Sequence, residues 1–267
     1  MNMEENIAVF RDTEGMYRTD RRLRDSVIQS IRDQRFIPES EILPPVPPRF
    51  RDPCSVRVTR RRSFEAARFH EGKTAVLNFA SWTNPGGGVV NGSNAQEEGL
   101  CRISTLYPCL SDKKMLQQFY LPHRDKPDHL HNGDCIYTPG VTVFKSDSGI
   151  PKTQPEERWF DVDVITCAAP NLRTRDGEKL WIGDRRLMDI HLFRISRVLD
   201  IAALNGDTDI ILGAFGCGVF LNDPEVVALA CRKALETRQH LFSSVEFAVY
   251  SGNGDTTNLD AFRRILS

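Results

Sequence analysis

No run of about 18 uncharged apolar residues occurs in the chain, so no membrane-spanning helix is expected. No Cys-x-x-Cys pair occurs either. The seven cysteines (Cys54, Cys101, Cys109, Cys135, Cys167, Cys217, Cys231) are scattered and odd in number, which excludes a disulfide scaffold. They suit a reduced, intracellular protein, cytoplasmic or, in a eukaryote, nuclear. Met1 to Glu5 has neither a basic segment nor an apolar core, so a secretory leader is not expected. A strong charge of either sign is missing too: formal net charge is −1. Without a global basic field, direct sequence-specific nucleic-acid binding is not expected, and any polyanion must be gripped locally. His123, His129, His131 and Cys135 fall near one another, but their spacing is not that of zinc ligands, and no metal is expected.

What is present fits one large domain with an N-terminal appendage: 40% of residues are hydrophobic and 27% charged. Residues 3–35 read as two helices, roughly 4–14 and 19–34, interrupted by Gly15. Arg21, Arg22 and Arg24 read as a solvated helix face. Pro44-Pro45-Val46-Pro47-Pro48-Arg49 favours extended geometry and reads as a stiff connector on the domain surface. Residues 1–53 are thus expected as helices plus connector, and 54–267 as the main domain.

From Ser55 strands and helices alternate. Apolar runs at 56–59, 73–80, 136–144, 160–169, 209–215 and 245–250 predict about six strands. Pro139 and Gly140 require an edge position or a bulge in the third of these. Helices are expected at 63–71, from Ala95 to about Leu110, along the stripe Met188, Leu192, Ile195, Leu199 and Ala202, after Asp223-Pro224, and at 258–266. Residues 112–133 read as loop apart from 114–120. Such alternation calls for an α/β fold, a three-layer α/β/α domain whose sheet is covered on both faces.

Two glycine-rich loops each follow an apolar strand: Gly86-Gly87-Gly88, and Gly213-x-x-Gly216-x-Gly218. Neither is a dinucleotide fingerprint or a P-loop. In an open α/β sheet such loops gather where ligands bind, and their amides together suit a diphosphate. Phe220, just past the second loop, reads either as core or as a surface packed on a ribose or base. Seven residues separate Gly88 from Gln96-Glu97-Glu98, in the first turn of a helix. Ser93 or Asn94 is a candidate N-cap, with Gln96 or Glu97 at N3 as a capping partner. Two acids there also complement the helix dipole. The alternative is catalytic. Neighbouring helical residues point about 100° apart, so the pair cannot straddle a scissile bond as glycosidase carboxylates do.

Gly86-Gly87-Gly88, seven residues, then Gln96-Glu97-Glu98 resembles the signature of poly(ADP-ribose) glycohydrolases. Asn78-Phe79-Ala80-Ser81, Asn84-Pro85 and Gly213-Ala214-Phe215-Gly216-Cys217-Gly218-Val219-Phe220-x-Asp-Pro are similar to the short, microbial-type members. The resemblance implies a macrodomain-like mixed sheet with an N-terminal helical extension. It further implies hydrolysis of ribose–ribose O-glycosidic bonds, exo-acting because Phe220 packs on the terminal ribose, with release of ADP-ribose. Glu98 would be catalytic, as an acid and then a base, and Glu97 would hold the neighbouring ribose. Gly86, Gly87, Gly88, Gln96, Gly216, Cys217, Gly218, Val219 and Phe220 would wrap the diphosphate and distal ribose, with Ser81 and Asn84 close by. Expected partners are poly(ADP-ribose) or ADP-ribosylated proteins, acted on by a monomer without cofactor. An ADP-ribose reader without catalysis and a mono-ADP-ribosyl hydrolase are the rival readings.

Overall fold

Two polar caps set the first helices in this computed structural model, which describes residues 1–267 apart from 127, 148, 175 and 253. Asn2 accepts the Glu5 amide at 2.9 Å while the Glu5 carboxylate accepts the Asn2 amide at 2.8 Å, opening helix α1 (Met3–Thr19). Asp20 accepts the Leu23 amide and opens α2 (Arg21–Asp33). The break expected at Gly15 therefore falls at Asp20. Gly15 stays helical, since one glycine costs a helix only about 1 kcal/mol and α1 recovers more by burying Val9, Phe10, Thr13 and Tyr17.

Among the described residues, seven strands form one sheet: β1 (Arg35–Ile37), β2 (Ser55–Thr59), β3 (Thr74–Phe79), β4 (Cys135–Val143), β5 (Phe160–Cys167), β6 (Asp209–Leu212) and β7 (Ser244–Ala248). Their order is β1-β4-β5-β3-β6-β7-β2. β4 runs antiparallel to both β1 and β5, and all other pairs are parallel. β1 is the strand beyond the six expected; three residues are too few to show a period. Pro139 and Gly140 are accommodated by a bulge between Thr138 and Val141, because β4 lies inside the sheet.

Side chains alternate across the sheet. Ala75 and Leu77 of β3 enter one core while Val76 enters the other; Ile210, Leu212 and Ile211 of β6 divide in the same way. Helices α3 (Ser63–Ala67), α4 (Gln96–Ile103) and α5 (Leu106–Leu110) cover one face together with Phe10 of α1. Short helices α6 (Lys113–Met115) and α7 (Leu121–Asp125) flank a π turn at Leu116–Tyr120, so more of 112–133 is helical than expected. Helices α8 (Asp184–Leu204), α9 (Pro224–Glu236) and α10 (Thr257–Leu266) cover the opposite face. The result is a three-layer α/β/α, macrodomain-like mixed sheet with an N-terminal helical extension.

The single helix expected from Ala95 to Leu110 is two. Its backbone leaves the helix at residues 104–105 and pairs with the end of β4, where Thr105 donates to the Thr142 carbonyl and Phe144 to that of Ile103. The proline-rich stretch is strapped down by Arg49 and Phe50, whose amides share the His240 carbonyl, and by Cys54 on Gln239.

Candidate active site

The carboxyl ends of β3, β5, β6 and β7 feed loops that enclose a cleft of about 1060 Å³. Glu97 and Glu98 line it from the first turn of α4, opposite Gly216, Gly218, Val219 and Phe220. Both carboxylates are nearly buried, 3% and 7% exposed. Glu97 accepts the Ser81 amide at 2.7 Å and the Asn78 side-chain amide at 3.2 Å. Burial pushes its carboxyl up to about 8; the two hydrogen bonds oppose that shift and the Glu98 charge adds to it. Glu98 is held by backbone, accepting Gly88 N–H at 2.9 Å through one oxygen and Ala95 N–H at 2.9 Å through the other.

The helix start differs from the expected cap. Ala95 is the N-cap and offers no side-chain acceptor, so Glu98 occupies N3 and reaches back to the Ala95 amide. Ser93 and Asn94 are engaged instead by buried Arg102, which donates to the Ser93 carbonyl and to the Asn94 side chain at 2.6 Å. Adjacent helical residues leave the helix in different directions, yet both carboxylates end beside Gly87. A Cβ there would lie 2.4 Å from one Glu98 oxygen and 3.1 Å from one of Glu97. With φ of +60° as well, only glycine suits that position.

The two glycine loops are not equivalent. Amides of the first are spent inside the protein: Gly87 donates to Asn84, Gly88 to Glu98 and Val89 to Gly86. In the second, the N–H groups of Gly216, Gly218, Val219 and Phe220 have no acceptor among the described residues. Open amides for an anion therefore come from 216–220. Buried Asn222 shapes that loop, donating to the carbonyls of Pro170, Gly216 and Phe220 while His191 holds its oxygen.

Three expected positions behave differently from the rest. Cys217 turns its thiol to the core beside α9 and is absent from the cleft lining. Gly86 also lies off the lining, packed against Tyr107. Gln96 lines the cleft, but its amide is consumed by Ser63, Leu77 and Phe79, so it fastens α4 to the end of β3. Ser81 and Asn84 line the rim and bond to each other. Among the described residues no group of three His, Cys, Asp or Glu side chains is arranged to hold a metal ion.

Sequence reasoning assigned no role to several residues that build the site. Asn78 was legible as the one polar residue inside an apolar strand. Arg102 was legible as a charge on the apolar face of α4. Arg62 and Tyr250 were not, because nearly 190 residues separate them. They meet at one end of the cleft, with the guanidinium 4.4 Å from the ring centroid. Partly buried Asp147 lies 3.8 Å from Arg62, its carboxyl raised to about 7 by desolvation.

Comparison with known proteins points to one family. A family model described as the microbial-type PARG catalytic domain matches residues 5–146. A crystal structure of poly(ADP-ribose) glycohydrolase from Thermomonospora curvata superposes with a TM-score of 0.81 at 30% identity, covering 98% of this chain and 100% of that one. The same enzyme bound to the inhibitor ADP-HPD gives a TM-score of 0.81. The poly(ADP-ribose) glycohydrolase of Deinococcus radiodurans in complex with ADP-ribose is 33% identical, with a TM-score of 0.75 over 89% of this chain and 96% of that one. No curated protein matches the chain.

Proposed function

Since the chain belongs to the microbial-type poly(ADP-ribose) glycohydrolases, we propose that Glu98 is the acid and base of its reaction and Glu97 the residue that holds the reacting ribose. The reaction is hydrolysis of ribose–ribose O-glycosidic bonds in poly(ADP-ribose), with release of ADP-ribose. The observation that carries the assignment is the convergence of two buried carboxylates beside Gly87, on a cleft wall facing a loop of open amides. An anionic diphosphate at Gly216 to Phe220 sets the distal ribose near that convergence.

As the bond from ribose C1 breaks, its electron pair leaves with the oxygen of the neighbouring unit, and a protonated Glu98 gives that oxygen its proton. The sugar is left oxocarbenium-like. Water then adds to C1 and returns a proton to the Glu98 carboxylate. Glu97 enters this cycle neutral at pH 7, because burial lifts its carboxyl to about 8. It is then a hydrogen-bond donor to a ribose hydroxyl and places no second full charge beside Glu98.

Exo action is best supported from the end of the cleft away from Phe220. Units are joined between the distal ribose of one and the adenosine ribose of the next, so Phe220 stands at the bond being cut. Whether an internal unit fits is decided where the adenosine lies. We assign that end to Arg62 and Tyr250, which stack on each other in the cleft lining. Incubation with poly(ADP-ribose) tests the whole reading. Wild type should release ADP-ribose units, and Glu98→Gln should be slower by about 10²–10⁴-fold while still binding ADP-ribose. A near-wild-type rate for Glu98→Gln removes the assignment, and long oligomers as the main product remove exo action.

A further inference from the structure

Behind Phe220 stands a three-ring stack that the reaction as described does not use. The buried Trp82 indole lies between two imidazoles, with His123 at 3.4 Å and His131 at 4.5 Å between centroids, both within 15° of parallel. His131 then presents an edge to the Phe220 ring, 6.0 Å away at 68°. We propose that His131 is a positioning residue for catalysis, transmitting the fixed position of Trp82 to Phe220 and so setting the distal ribose against Glu98. The proposal rests on the reading that Phe220 packs on that ribose.

The geometry gives His131 this role and no obvious other. Its backbone is left-handed, φ 58°, which is uncommon outside glycine and is held here by its contacts. A carbonyl only accepts, so the 2.8 Å contact with the Ala169 carbonyl fixes the proton on Nδ1. Burial lowers the imidazole to about 4, with Arg194 adding to the effect and the Ala169 bond opposing it, so the ring is neutral when it stacks. Aromatic contacts at these separations are directional and contribute beyond their buried area.

Trp82 and Phe220 both connect to the reacting centre. Trp82 follows Ser81, whose amide holds Glu97. Phe220 precedes Leu221, also left-handed at φ 58°, and its carbonyl is gripped by Leu172 and Asn222. The backbone of 220–222 is thus fixed, and the ring direction is what His131 sets. An oblique ring would let the ribose tilt, and misplacement by about 1 Å costs on the order of 10²-fold in rate.

A kinetic cycle tests this with His131→Asn, Phe220→Ala and the double variant, measuring kcat and KM for poly(ADP-ribose) beside each melting temperature. Asparagine tolerates the left-handed backbone and removes the stacked ring. His131→Asn should lower kcat by about 10–100-fold while KM moves little, and the double variant should be no slower than Phe220→Ala. His131→Phe keeps a flat ring and should retain most of kcat, whatever the stability of the asparagine variant. If the two losses multiply, or if His131→Phe is as slow as His131→Asn, the proposal fails alone. A wild-type rate for Phe220→Ala sinks the placement of Phe220 on the ribose, and the proposal with it.

Discussion

Two glutamates are equally hidden in this molecule and titrate in opposite directions. Glu97, 3% exposed, is raised to about 8; Glu246, 0% exposed in β7, is lowered to about 2. Burial pushes both upward. At Glu246 it is outweighed by His70 at 2.9 Å, Thr59 at 2.6 Å and the guanidinium of Arg61 at 3.4 Å. His70 in turn is raised to about 9 by Asp209 first and Glu246 second, against burial. At Glu97 the neighbours are the Ser81 and Gly86 amides, the Asn78 carboxamide and the Glu98 carboxylate, none of them a cation. The contrast separates structure from function. A buried acid given cations is a rivet joining β2, β6 and β7, whereas one denied them keeps its proton, the state that the role proposed for Glu97 requires.

Exchanging carboxylate for carboxamide at each place should break the comparison cleanly. The largest effect expected is catalytic, the about 10²–10⁴-fold loss in Glu98→Gln, with a smaller fall in melting temperature because the carboxamide NH2 cannot accept one of the two backbone amides that Glu98 holds. Glu246→Gln should do the reverse. Removing one member of a buried ion pair typically costs about 3–5 kcal/mol, read here by denaturant unfolding, while the folded fraction keeps its turnover. A Glu246→Gln enzyme of normal stability and reduced kcat would mean that the rivet is part of the active site.

The same contrast explains what could be read from the chain beforehand. Six strands and the helices after Asp223 and at 258–266 were visible because apolar period and capping are local. The Glu pair, the glycine loops and Phe220 were visible because their spacing is local too. Ion partners are not local: His70 and Glu246 lie on different elements, as do Arg62 and Tyr250, and only the sheet order brings them together. Sequence likewise could not separate the two glycine loops. Their difference lies in which amides the protein itself consumes, with Asn84, Glu98 and Gly86 taking those of Gly87, Gly88 and Val89.

Taken per pH unit, the smallest predicted effect sharpens the comparison through titration. Between its ordinary 4.5 and about 8, Glu97 keeps a proton in the folded protein that the unfolded chain has lost. Its contribution to stability is therefore complete below 4.5 and gone above 8, falling by at most about 1.4 kcal/mol per pH unit. His70, raised from 6.5, loses its contribution from 6.5 upward through about 9. Glu246, lowered from 4.5, loses its own only as pH drops from 4.5 through about 2. Asp147 and Asp207 are also pushed up by burial, to about 7 and about 9, but they titrate alike in wild type and variant. Unfolding free energies of wild type and Glu97→Gln, measured from pH 4.5 to 9, isolate Glu97 in their difference. That difference should change steadily up to pH 8 and then level off, because glutamine has no proton to hold. Parallel curves across that range would show that Glu97 is ionised in the folded protein, and its role as neutral donor to the ribose would fall with that result.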